Sequence, residues 1–117
     1  MESKQIFLFV FLVLAVFSMS RIRFLEESLR YGDELEMYTG IVNSGNRDID
    51  DVRVIAYMPE LGEDIRGSSF DINDNDNYGK LMWWNVPNSI PKGEYMVRIT
   101  ASNDDHMVRK FRYITVE

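Results

Sequence analysis

Hydrophobic and polar positions follow two different rules along this chain. From Ile6 to Phe17 every side chain is apolar. From Arg21 onward the apolar positions come in short runs, many alternating with polar ones and broken by Gly, Pro, Asn and Asp. The first rule predicts a helix that is apolar all round, and the second predicts β-strands, whose side chains point to opposite faces in turn. The 14-residue run from Ile6 to Met19, interrupted by Ser18 alone, would be about 21 Å long as a helix. A spanning helix needs ~20 residues and the core of a signal peptide ~7–15. Ser18 and Ser20 supply small residues at -3 and -1 of a cut after Ser20. Arg21 and Arg23, just past the run, suit a stop-transfer signal equally well. Residues 1–20 are therefore expected to be a signal peptide or a short membrane anchor, with residues 6–19 in the membrane if uncleaved.

Residues 21–117 are expected to hold one domain of seven strands. The first, 22–29, ends at the Tyr31-Gly32-Asp33 turn, although Ile22, Leu25 and Leu29 also fit a helical face. In the second, 35–41, Leu35, Met37, Thr39 and Ile41 alternate with Glu36, Tyr38 and Gly40. Asn43-Ser44-Gly45-Asn46 ends it with residues that tolerate left-handed backbone. Strands at 52–58, 67–72, 80–86, 94–101 and 107–116 follow, punctuated by Pro59, Pro87, Pro91 and Asn103-Asp104-Asp105. Short strands at such intervals predict an all-β fold: a seven-stranded immunoglobulin-like antiparallel β-sandwich, preceded by one N-terminal hydrophobic helix.

Two stretches resemble the CARDB-type immunoglobulin-like domains of bacterial and archaeal cell-surface proteins. They run from Tyr31 to Gly62 and from Ile90 to Asp105. The matching positions are Gly32 and Asp33 in a first turn, Asn43 and Gly45 in a second, Val52 and Val54, and then Gly93, Tyr95 and Val97. The resemblance covers about residues 22–116. It implies the sandwich and a spacer or adhesive role. The chain departs from antibody-type domains in lacking a cysteine pair and a core tryptophan on the third strand.

Composition narrows the partners. The formal charge of -6 repels phosphate backbones, so nucleic acid is not expected as a partner. Removing residues 1–20 would take away one acid and one base, Glu2 and Lys4, and leave that balance unchanged. With no cysteine, neither a disulfide framework nor a thiolate zinc site can form.

Three constellations carry candidate chemistry. Asp71, Asn73, Asp74, Asn75 and Asp76 offer closely spaced oxygens that suit Ca²⁺. The string fails as an EF-hand loop, having Asp76 where the loop needs glycine and Met82 where it needs glutamate. A solvated turn is the alternative reading, and no other cofactor is expected. Trp83 and Trp84 are neighbours on a strand, so one ring should enter the core while the other points out and is free to contact a partner. Arg98, Arg109, Lys110 and Arg112 interleave with Phe111 and Tyr113, as a charged face that blunts an edge strand would. His106, the one histidine, sits in a turn without the Gly-x-Ser-x-Gly elbow of a hydrolase. The expectation is a non-catalytic, extracytoplasmic module, anchored or secreted, that contacts a protein or glycan. The alternatives are a subunit of a surface filament or layer that pairs by its strand edges, hence a homo-oligomer, and a calcium-dependent adhesion module.

Overall fold

The computed structural model of the protein describes residues 17–24 and 28–117. Among the described residues there are nine strands and no helix: β1 (Phe17–Phe24), β2 (Ser28–Leu29), β3 (Glu34–Asn43), β4 (Ile49–Met58), β5 (Glu63–Arg66), β6 (Phe70–Ile72), β7 (Asp76–Asn85), β8 (Gly93–Ser102) and β9 (Met107–Val116). Nine strands thus stand where seven were expected; each expected one has a counterpart, with 67–72 shortened to Phe70–Ile72, and the other differences have local causes. The first becomes two, because the chain leaves one sheet after Phe24 and joins the other at Ser28. β5 was not expected, since Glu-Asp-Ile-Arg has no apolar alternation. Its one sequence signal is the Pro59–Gly62 turn, where Gly62 takes φ 64°. β7 begins at Asp76 rather than at 80, because Asp76 and Asn77 pair with Asn43 and Val42.

Two sheets share one core. β1, β3 and β7 form the smaller sheet, with β3 central. The larger runs β2-β9-β8-β4-β5, and β6 also pairs with β4. β2 lies parallel to β9, so this sheet is mixed and not purely antiparallel as expected. Alternation sends Leu35, Met37 and Ile41 of β3 inward to meet Val54, Ala56 and Met58 of β4 and Val97, Ile99 and Ala101 of β8. Each of the Leu, Ile, Val and Met side chains contributes about 1.5–3 kcal/mol by leaving water, and the two alanines less. Tyr95 spans the end of the core, and its hydroxyl donates to the Pro91 carbonyl, tying the incoming loop to β8.

The helix expected over residues 6–19 falls mostly on residues 1–16, which lie outside the described ones. Where that run is described it is strand. Phe17 and Met19 are core residues, 4% and 5% exposed, and stand opposite Asn43 and Ile41 of β3. The boundary expected between residues 20 and 21 therefore lies inside β1. The alternation Phe17-Ser18-Met19-Ser20 is the sequence signal for this, and its serines read just as naturally as a cleavage motif. A register shift between Met19 and Arg21 then brings Ile22 and Phe24 against the core. Among the described residues no helix is long and apolar enough to cross a membrane.

Candidate functional site

The loop between β6 and β7 has the most ligand-like sequence, and its backbone is tied to the neighbouring β3–β4 turn. Asn43, fully buried, is the hub. Its Nδ2 donates to the carbonyls of Arg47 (2.8 Å), Asn73 (3.1 Å) and Ile72 (3.3 Å), and its Oδ1 accepts from the Gly45 N–H (3.1 Å). One side chain thus joins the β3–β4 turn to the β6–β7 turn. Asn75 adopts φ 52°, and its N–H donates to the Gly45 carbonyl at 3.0 Å. Asp71 Oδ1 accepts from the Asp51 N–H at 2.9 Å, holding a bulge where Asp51 has φ 58°. The Asp74 N–H donates to Asp48 Oδ1 at 2.9 Å, and Asp76 Oδ1 accepts from the Asn77 N–H at 2.8 Å. The candidate ligands Asp71, Asn73, Asp74, Asn75 and Asp76 are exposed. Among the described residues no three acidic or histidine side chains gather into a group able to hold a metal ion.

The tryptophan pair divides as strand geometry requires. Trp84 enters the core at 7% exposure, so it is out of reach of a partner and only Trp83 remains as a candidate contact. Trp83 is 51% exposed on the outer face of the smaller sheet, opposite Glu36. Leu81 shares its face two positions earlier, stands opposite Tyr38, and is also exposed. The Tyr38 ring lies over Gly79, where an added Cβ would sit 2.5 Å from the ring and the hydroxyl. A glycine there lets the aromatic ring cover bare backbone and keeps it flat against the sheet. The result is an apolar platform of Trp83, Leu81 and Tyr38, with a carboxylate beside the indole. Such a surface can stack on a sugar ring or seat a protein side chain. Trp83 was legible from sequence. Leu81 follows from it by the two-residue period, but Tyr38 and Gly79 depend on a cross-strand register that one sequence does not reveal.

The outer face of the larger sheet is a second platform of different character. Along β9, Met107, Arg109, Phe111 and Tyr113 point outward, and all three hydrophobic members are exposed. Arg98 of β8, opposite Phe111, lies with its guanidinium 5.1 Å from the Tyr57 ring centroid. Lys110 and Arg112 behave otherwise, being half-buried on the reverse side of β9. The basic residues therefore do not form one outer face, and inward-pointing charges mark this strand as a protected edge. His106 packs its ring 5.8 Å from that of Phe17, and its buried Nδ1 has no hydrogen-bond partner among the described residues.

No protein-family model and no curated protein matches the sequence. Solved structures do match the fold. The CARDB domain of a Pyrococcus furiosus protein, solved in complex with di-metal ions, superposes with a TM-score of 0.68 at 12% identity, over 86% of this chain and 87% of that one. Its solution NMR structure gives 0.66 at 13%, over 86% and 94%. A Niemann-Pick type C2 protein from the Japanese carpenter ant gives 0.62 at 11%, over 87% and 93%. At these identities the likeness is one of architecture, and the architecture of this chain is CARDB-like.

Proposed function

We propose that the chain is a non-catalytic, extracytoplasmic binding module, tethered or secreted, that contacts a protein or glycan partner through the Trp83 face. The observation that carries this is the half-exposed Trp83, grouped with Leu81 and Tyr38 on a flat sheet face. Exposed aromatic residues on rigid strands lose little entropy on binding and present area without rearrangement. The immunoglobulin-like form of the sandwich supports the module reading. Its N-terminal segment pairs first with one sheet and then with the other, and the Tyr95 hydroxyl bonds back to Pro91 as a tyrosine corner does. The apolar run before Phe17 supports export.

Affinity electrophoresis through gels containing neutral or acidic polysaccharides, with cross-linking to an envelope fraction in parallel, tests the proposal. The expected result is retardation or a specific adduct that Trp83→Ala weakens at least tenfold, with the melting temperature unchanged. Equal behaviour of the two proteins, or no binding by either, would overturn it.

A second reading, assembly by strand edges, draws on β9, whose pairing with β2 covers Thr115 and Val116 alone. The inward Lys110 and Arg112 oppose it, because a strand added there would meet two charges it could not satisfy. Sedimentation that stays monomeric at millimolar concentration would remove this alternative. The calcium-dependent version has less behind it: the Pyrococcus CARDB domain was solved with di-metal ions, but here Asp71 and Asp76 already accept bonds from backbone N–H groups.

A further inference from the structure

The larger sheet turns four arginines outward in a chain whose formal charge is -6. Cross-strand register places them. Arg66 of β5 stands opposite Ile55 of β4, Ile55 opposite Thr100 of β8, and Thr100 opposite Arg109 of β9. Arg66 and Arg109 therefore end one row, three strand spacings or about 14 Å apart at the backbone. Arg98 and Arg53 lie in the rows on either side, opposite Tyr57 and Ser102, each about 7 Å from the first row. Two of the four hold a neighbouring carboxylate: Arg66 reaches Asp64 Oδ2 at 3.0 and 3.2 Å, and Arg53 lies 3.6 Å from Asp51. Both pairs are exposed, so water and salt screen them and a ligand's carboxylate can take their place. Arg98 and Arg109 form no ion pair among the described residues. The Arg98 guanidinium lies over the Tyr57 ring, and its buried Nε has no hydrogen-bond partner among the described residues. Glu94, at the start of β8, is two outward positions away from Arg98.

Four cations spread over this distance exceed the reach of one small anion, and an extended polyanion can follow them. A guanidinium fork matches a carboxylate through two parallel hydrogen bonds. Phe111 and Tyr113, about half exposed among the arginines, offer rings on which a sugar can lie. An extended peptide would instead seek unpaired backbone groups at a sheet edge, and β4 and β8 are paired on both sides. We propose that this face binds a carboxylated polysaccharide, a polyuronate in chemical class, as a second site on the opposite sheet from Trp83. The two faces together let one domain bridge two partners.

Affinity electrophoresis of the full chain at about 50 mM salt, with alginate as the polyuronate and dextran as the neutral control, tests the proposal. Arg98→Gln with Arg109→Gln should weaken the retardation by alginate about tenfold or more, because two charge-assisted forks are lost, and should leave behaviour in dextran unchanged. Arg47→Gln with Lys92→Gln removes the same charge away from this face and should change alginate binding less than about threefold. Arg109→Gln alone, at an exposed position, should still weaken it about threefold or more, which keeps the test decisive where the double variant melts early. Trp83→Ala should bind alginate as the unaltered chain does. No retardation by alginate, or an equal loss in the two double variants, would overturn the proposal. A loss in Trp83→Ala alone would assign the acidic sugar to the other face, overturning this site while the Trp83 reading stands. Binding to phosphatidylglycerol vesicles but not to alginate would overturn the polysaccharide and make the face a membrane contact. The Trp83 reading is judged separately, by dextran and by cross-linking.

Discussion

The Asp/Asn loop and the Trp83 face lie at opposite ends of β7, and their roles are the reverse of what their chemistry suggests. The loop is rich in oxygen ligands, yet its backbone groups close two turns around Asn43, and Asp71 and Asp76 each accept a backbone N–H. The face carries Glu34 and Glu36, yet it presents a half-exposed indole ring. A polar side chain is available to a ligand only when the fold has not already consumed its donors and acceptors. An apolar one is available only when the core has not. Availability, rather than residue type, marks the candidate site.

The contrast can be broken most directly within the tryptophan pair. Trp84→Ala should cost about 3–5 kcal/mol in denaturant unfolding, as a large core side chain does. Trp83→Ala should cost less than about 0.5 kcal/mol, and similar losses for both would erase the distinction between packed and free. Asn43→Ala should cost about 2–3 kcal/mol, because carbonyls in two turns and the Gly45 N–H lose their partner together. A loss under half a unit of kcal/mol would mean that the turns hold themselves. Thr39 sharpens the point in the other direction. It is fully buried with an Oγ1 that has no hydrogen-bond partner among the described residues, so Thr39→Val should leave stability unchanged or raise it by up to about 1 kcal/mol. The smallest effect belongs to the loop: ~1 mM Ca²⁺ should move the melting temperature by less than about 1 °C. A rise of several degrees would show that the loop oxygens remain open to a cation after all.

Much of the fold was legible because its signals are local. Alternation along β3, β4 and β8 marks the inward face, and Gly32, Asn43-Ser44-Gly45 and Pro59 mark the turns. Two features were hidden by competing local meanings. Phe17-Ser18-Met19-Ser20 reads as the end of an apolar leader, and only its pairing with β3 shows it to be a strand. Asp76 and Asn77 read as loop until their partners across β3 are known. The candidate site was half legible. The two-residue period separates Trp83 from Trp84 without a structure, whereas Tyr38 over Gly79 is a contact between strands about forty positions apart in the chain.

One small feature sets the order in which the molecule can be completed. Among the described residues the one parallel pairing joins Ser28 and Leu29 to Thr115 and Val116, and it is reinforced where Ser28 Oγ donates to Glu117 Oε1 and the Glu117 N–H donates to the Leu29 carbonyl. The hydroxyl and carboxylate are 89 positions apart along the chain, a closure that costs about 4 kcal/mol in chain entropy. An early strand must therefore wait for the last one to arrive. The larger sheet gains this edge only after translation has passed β9, whereas the β3–β7 and β4–β8 pairings need no residue of that last strand.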